Sequence, residues 1–250
     1  MIIWDIETGP LSDEALKLMH EPPEPPLHPG EFDSGSVRVG NLKDRAKIDA
    51  KIAEAKAAHE QSVASYQSLC QRTVDEAWQL FKGNAALDAS TGRVLAIGYH
   101  NPDLPATAID AADKINKEGM IERFWQKAEA LRHQSRPMVG LNIHDFDLPF
   151  LVRRSWLLGI EVPDWVIRQE RYFDSVFVDL RKRWLCGQYA ANTRSSFAHL
   201  AKAFQTDGKP DGVDGSQFYE LWETDREAAI AYLKNDVEQP AKWARAMGIV

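Results

Sequence analysis

The chain is 250 residues long, 27% charged and 44% hydrophobic, with a formal net charge of −7. That composition supports a packed core and excludes a collagen-like or disordered chain, while the acidic balance disfavours loose, whole-surface binding to nucleic acid. Asp5 interrupts the apolar opening, which argues against a signal peptide, and no later stretch is long and apolar enough to cross a membrane. Cys70 and Cys186 lack metal-ligand spacing, so the expectation is a cytoplasmic protein with two free thiols.

The opening run, Met-Ile-Ile-Trp-Asp5-Ile-Glu7-Thr8, predicts a strand buried in a sheet. Alternate residues share a face, so Asp5 and Glu7 project together. Adjacent buried carboxylates are costly without a cation, and few basic residues lie nearby, which points to a divalent metal. The alternative is a solvated strand end with ordinary surface acids. Residues 21–30, Glu-Pro-Pro-Glu-Pro-Pro-Leu-His-Pro-Gly, predict an extended, polyproline-like connector. From about Leu42 to Phe81 the sequence turns helical. Ile48, Ile52 and Ala55 mark one apolar stripe, and Tyr66, Leu69, Thr73, Ala77 and Leu80 another, fitting one very long helix or a helical hairpin.

Strand character resumes at Ala85-Ala-Leu-Asp, then at Val94–Tyr99 and Ala106–Asp110, an antiparallel meander. A helix around Ile121–His133 follows, then a short strand at Met138–Leu141, a helix from Asp147 to about Leu158 and a strand within Phe173–Leu180. The remainder is mainly helical, with a Gly-rich loop at Asp207–Gly215. Antiparallel strands followed by βα units predict an α/β architecture, a mixed sheet covered by helices. Residues 22–84, Pro-rich and helical, then form an insertion between the first two strands of a single domain spanning 1–250.

Val139-Gly-Leu-Asn142-Ile-His144-Asp145-Phe-Asp147 leads from a strand into a helix, with Pro149 in its first turn. An Asp at such a junction is either an N-cap or a ligand. Asp145 competes with Asp147, which is favoured because core-seeking Phe146 and Leu148 bracket it. Tyr232 and Asp236, four residues apart, lie on one helical face. Pro240 clashes with the carbonyl of Asp236, which predicts a bend or break just after that residue.

In order, then, come D-x-E, an Asn followed by Phe-Asp, and Tyr-x-x-x-Asp. This set resembles the DEDD exonuclease superfamily. Tyr232 resembles the mark of its tyrosine subgroup, DEDDy; the histidine subgroup has His where this chain has Ala231. The likeness is to stand-alone proofreading-type exonucleases related to the editing domain of family B DNA polymerases. Ser196–Phe204 and Gly208–Ser216 look like that group's segment before the last motif. The likeness covers residues 1–10 and about 85–250. It implies a ribonuclease-H-like fold with a mixed five-stranded sheet, and a metal-dependent 3′–5′ exonuclease.

The chemistry suits the residues. Phosphodiester hydrolysis needs an activated water and a stabilised leaving oxygen, and two divalent ions can supply both. Mg²⁺ and Mn²⁺ prefer hard oxygen ligands, so Asp5, Glu7, Asp147 and Asp236 are the expected metal ligands. Tyr232, neutral at pH 7, is expected to orient the attacking water, the role the resemblance also implies. The expected substrate is a single-stranded 3′ end, DNA favoured over RNA because of the family B-like motifs. Candidate substrate contacts are Thr8, Asn142 and Phe146, with Arg153, Arg154 and Lys209 for phosphates and His144, Phe150 and Trp156 as further stackers. No phosphate-binding loop or dinucleotide fingerprint appears, so no nucleotide cofactor is expected. The helical 42–81 segment is a candidate surface for a protein partner. The rival readings are an exoribonuclease and a non-catalytic nucleic-acid-binding or replication accessory module.

Overall fold

The computed structural model describes residues 1–112, 117–168, 176–188, 193–208 and 217–249. In chain order the elements are β1 (Ile2–Pro10), α1 (Asp13–Lys17), α2 (Arg45–Asn84), β2 (Gly92–His100), β3 (Thr107–Ala111), α3 (Lys117–His133), β4 (Met138–Gly140), α4 (Asp147–Leu157), α5 (Asp164–Arg168), β5 (Phe177–Asp179), α6 (Leu180–Leu185), α7 (Phe197–Ala203), α8 (Phe218–Thr224) and α9 (Arg226–Ala246). The chain divides into two compact units: Met1–Leu16 with Ala85–Val250, and Lys17–Asn84.

The first unit holds one five-stranded sheet in the order β3-β2-β1-β4-β5. β2 runs antiparallel to β1 and β3, whereas β4 runs parallel to β1 and β5. This mixed sheet flanked by helices is the architecture the sequence predicts, with α2 falling between β1 and β2 in the chain. The opening strand is central, and its alternation sorts its side chains. Trp4 and Ile6 enter a core with Phe124 of α3 and Leu148 and Leu151 of α4. Ile3 enters the opposite core with Val237 and Trp243 of α9. Asp5 and Glu7, in phase with Ile3, therefore belong to the α9 face. Burying each of these large apolar side chains stabilises the sheet by about 1.5–3 kcal/mol.

Two glycines set how closely elements approach. Gly98 lies opposite Asp5 in the β1–β2 register, and a Cβ there would meet Leu233 at 3.0 Å and Val237 at 3.2 Å. Gly140, at the end of β4, is tighter: a Cβ would lie 2.4 Å from Ile143 and 2.7 Å from the Trp4 carbonyl. The first lets α9 settle on the sheet; the second lets the turn after β4 press against β1.

Three local expectations are corrected. Ala85–Leu87 form a 3₁₀ turn rather than a strand, because threonine hydroxyls take their carbonyls: Thr91 Oγ1 donates to Ala85 O at 2.9 Å and Thr8 Oγ1, from β1, to Ala86 O at 2.7 Å. Helix α9 is not broken after Asp236 but runs through Pro240 to Ala246. Pro240 removes one helical donor, and its burial along with Val237, Ala241 and Trp243 offsets that loss. The third concerns the second unit, where α2 is a single helix with one half-buried stripe through Ile52, Ala55, His59, Tyr66, Cys70, Thr73 and Ala77. Leu69 and Leu80, assigned to a stripe from sequence, are 38% and 69% exposed.

What covers that stripe is the Pro-rich arm. His20 contacts Trp78 and Phe81, His28 stacks edge-on to Tyr66, and Phe32 meets His59. The Tyr66 hydroxyl donates to the Pro26 carbonyl at 3.0 Å. An extended chain rises ~3.1 Å per residue and a helix ~1.5 Å, so His20–Phe32 and His59–Phe81 span comparable lengths, about 37 and 33 Å. The arm runs antiparallel to the helix in matching register. Among the described residues no helix is long and apolar enough to cross a membrane, and both cysteines are free.

Candidate active site

Asp5 and Glu7 of β1 and Asp236 of α9 each place a carboxylate oxygen within 4.8 Å of the other two. Glu7 is 8% and Asp236 9% exposed. The strand period projects the first pair, and α9, seated over Gly98, brings the third acid. A register shift between Glu7 and Thr8 ends the regular β1–β2 pairing just past the pair, the local irregularity that a β-bulge introduces.

Asp147 approaches from the other side of β1. Because β4 pairs with β1 only at Ile2 and Ile3, the N–H of Ile6 is left for another acceptor, and it donates to Asp147 Oδ1 at 3.1 Å. Asp147 is the first residue of α4, and Phe146 occupies the cap position with no side-chain cap bond. The acid is therefore turned toward the sheet rather than capping its own helix. It is 4% exposed, and burial pushes its carboxyl up to about 7. Hydrogen bonds from Ile6 N–H and with Asp5 oppose that rise, and the negative charge of Asp179 adds to it.

Tyr232 sits one helical turn before Asp236, 1% exposed and packed on Phe218. Its hydroxyl is hydrogen-bonded to Asp236, and its pKa is raised above the ordinary phenol value by burial first and then by the charges of Asp236, Glu7 and Asp5. The phenol stays protonated and acts as a neutral donor and acceptor. Asp5, Glu7, Asp147, Tyr232 and Asp236 all line one cleft of about 340 Å³, together with Asn142, Phe146 and Phe197.

Asp145 and Asp147 are separated clearly by their surroundings. Asp145 has a 54% exposed side chain and pairs with Lys182 at 3.3 Å and Arg181 at 3.8 Å. Of the expected substrate contacts, Asn142 and Phe146 line the acid cleft. Thr8 does not, its hydroxyl being given to Ala86 O. Arg153 lines a separate pocket with His144, Pro149 and Trp156, and Arg154 is 9% exposed and donates to Ala89 O at 3.2 Å. Phe150 is buried in the core. Lys209 lies outside the described residues, as do residues 173–175 of the expected strand and most of the Gly-rich loop.

Sequence reasoning missed Asp179 and Arg181. Asp179, 1% exposed, accepts from the backbone N–H of Asn142 at 2.9 Å and His144 at 3.0 Å, and from Arg181 N at 2.8 Å. One carboxylate thus caps α6 and ties down the turn that carries Asn142, whose φ is +64°. Arg181 Nη1 donates to Asn142 Oδ1 at 2.5 Å, which leaves the Asn142 amide N–H₂ to face away from the guanidinium. The available signal was an Asp closing a short apolar strand before Arg-Lys-Arg, the same buried-acid pattern as Asp5.

The acid set fits a hard divalent cation. Its donors are carboxylate oxygens alone, three of them clustered and mostly buried, and the fourth is held up to about 7 by desolvation.

The family described as "Predicted 3'-5' exonuclease related to the exonuclease domain of PolB" matches residues 92–240, a stretch that includes Asp147, Tyr232 and Asp236 but not β1. No curated protein matches the chain. Among solved structures, the family B DNA polymerase from the hyperthermophilic archaeon Pyrobaculum calidifontis is similar at 19% identity and a TM-score of 0.53, over 66% of this chain and 23% of that one. At that identity the likeness carries the fold, a ribonuclease-H-like α/β sheet, and the chain spans about a quarter of the polymerase's length.

Proposed function

Since the chain belongs to the family of predicted 3′–5′ exonucleases related to the exonuclease domain of PolB, we propose that it hydrolyses single-stranded DNA from the 3′ end, releasing nucleoside monophosphates by a two-metal-ion mechanism of the DEDDy type. The observation that carries this reading is the convergence of acids from β1, α4 and α9 with Tyr232 in one cleft. The whole chain is read as one exonuclease domain, with residues 22–84 as an insertion in it.

Asp5, Glu7 and Asp236, with Asp147 across β1, would hold the cations. Bound there, Mg²⁺ or Mn²⁺ lowers the pKa of the attacking water and offsets charge on the leaving oxygen. Tyr232 donates a hydrogen bond from its hydroxyl to Asp236 and keeps its proton, so its oxygen lone pairs accept a hydrogen bond from the water and aim it. Asn142 offers its amide N–H₂ to the terminal nucleotide, and Phe146 supplies a ring against which a base stacks. Arg181 and Asp179 keep Asn142 in place.

The test is digestion of a 5′-labelled single-stranded DNA oligonucleotide and its RNA counterpart with Mn²⁺, Mg²⁺ or EDTA, using wild type and Asp5→Ala. A metal-dependent ladder shortening from the 3′ end of DNA, absent in the variant, is the expected result. Faster trimming of RNA would replace DNA with RNA as substrate. No cleavage of either would leave a nucleic-acid-binding module.

A further inference from the structure

Beside the acid cleft lies a second pocket, of about 520 Å³, which shares Leu141, Asn142 and Phe197 with it. Its distinctive lining is Arg181, Arg194, Ser195 and Ser196. We propose that this pocket holds the phosphate one nucleotide upstream of the scissile one. The proposal rests on the exonuclease reading and deepens it, because it fixes how far the enzyme grips the strand beyond the bond it cuts.

The two guanidinium groups differ in a useful way. Arg181 is fixed before any ligand arrives: Nε donates to Ser195 Oγ at 3.0 Å and Nη1 to Asn142 Oδ1 at 2.5 Å, and Ser195 is 5% exposed. Holding the fork in place removes most of the side-chain entropy that an arginine otherwise loses on binding. Arg194 is exposed, and among the described residues its guanidinium has no hydrogen bond or ion pair. Among the described residues the one acid whose carboxylate pairs with the Arg181 guanidinium is Asp145, at 3.8 Å, and it also serves Lys182. The pocket therefore keeps a positive excess next to a strongly negative cleft.

A guanidinium pair with nearby hydroxyls recognises a phosphate by charge-assisted, paired hydrogen bonds. The side from which that phosphate comes follows from the substrate. A strand ending in a 3′ hydroxyl carries no phosphate beyond its terminal nucleotide, so a phosphate adjacent to the scissile one is upstream. Asn142 stands in the shared wall, held by Arg181. The pocket that anchors the upstream strand thereby also sets the residue facing the terminal nucleotide.

The experiment is a binding measurement that needs no catalysis. Short 5′-labelled DNA strands carry a single uncharged methylphosphonate at either the linkage just upstream of the terminal one or a distant linkage. Anisotropy in EDTA measures affinity for wild type, Arg194→Ala and Arg194→Lys, with circular dichroism confirming that each variant is folded. For wild type the upstream replacement weakens binding about tenfold or more relative to the distant one, the scale of one charge-assisted contact. In Arg194→Ala that difference collapses, and the slope of log affinity against log salt falls by about 0.7; Arg194→Lys recovers part of both. Equal binding of the two strands by wild type, or an undiminished difference in Arg194→Ala, overturns the subsite. Metal-dependent cleavage with no positional effect removes the subsite and leaves the exonuclease reading. A positional effect without cleavage overturns the exonuclease reading and leaves only a pocket for the second phosphate from the 3′ end.

Discussion

Burial of Asp147 carries an electrostatic cost, and that cost has a pH signature. Its folded-state carboxyl is raised from an ordinary 3.8 to about 7 by burial. Between those values the folded protein holds a proton that the unfolded chain has released. The stabilisation from this group is therefore complete below about pH 4 and is lost as pH rises through about 7. Thermal melts of EDTA-treated protein are expected to give a Tm that falls from pH 5 to 8 more steeply in wild type than in Asp147→Asn. Parallel curves would remove Asp147 as the cause. Adding Mn²⁺ should flatten the wild-type curve and release protons into an unbuffered sample near pH 6.5. Tyr232 and Asp236, although hydrogen-bonded to each other, differ in what they lose. Tyr232→Phe keeps the ring on Phe218 and gives up the hydroxyl, so activity should drop about a hundredfold with the Tm shifted by no more than a few degrees. Asp236→Asn removes a proposed metal ligand and should cost about a thousandfold, or about 4 kcal/mol in the barrier. Single-turnover rates on a labelled strand would separate the two, and equal losses would contradict the assigned roles.

Short β4 decides how the elements meet. It covers only the start of β1, so the backbone past Ile3 is open to the turn carrying Asn142 and Asp147. Gly140 makes that approach possible, and a methyl group there would press on the Trp4 carbonyl. Gly140→Ala should destabilise the fold by about 1–3 kcal/mol and reduce nuclease activity by more than its loss of stability explains, as judged at a temperature where the variant is fully folded. Activity intact in a folded variant would show that the turn tolerates the displacement. Elements whose cause is local were legible in the chain. Asp5 and Glu7 followed from a two-residue period in an apolar run, and Tyr232 and Asp236 from a helical turn. Asp179 and Arg181 were not, because they reach Asn142 across 37 and 39 residues, and pairing over that distance leaves no periodic trace. Residues 85–88 read as a strand since Ala and Leu suit either state, and the threonines that claim their carbonyls lie outside the segment. Pro240 was read by its local clash alone, whereas its neighbours in the core keep the helix running.

At the scale of the molecule, 40 residues of α2 contain no fully buried side chain, yet the helix is long and single. A helix so polar needs a cover for its one apolar stripe, and the Pro-rich arm supplies it. Tyr66 is the central fastening, through Pro26 and His28. Tyr66→Ala should speed limited proteolysis within residues 20–44 several-fold while leaving the sheet's cleavage pattern unchanged; an unaltered rate would mean that the outer aromatic contacts suffice. The sheet unit is assembled differently, since its acids are dispersed from residue 5 to residue 236. During synthesis Asp5 and Glu7 are made well before Asp236, which follows them at the far end of the sheet unit's chain order. A ribosome-bound chain paused before α9 would carry the first two acids without the helix that completes the cluster. The acidic cluster thus forms only once α9 has been made and has packed on β1, so a nascent chain lacks it however much of the sheet has already folded.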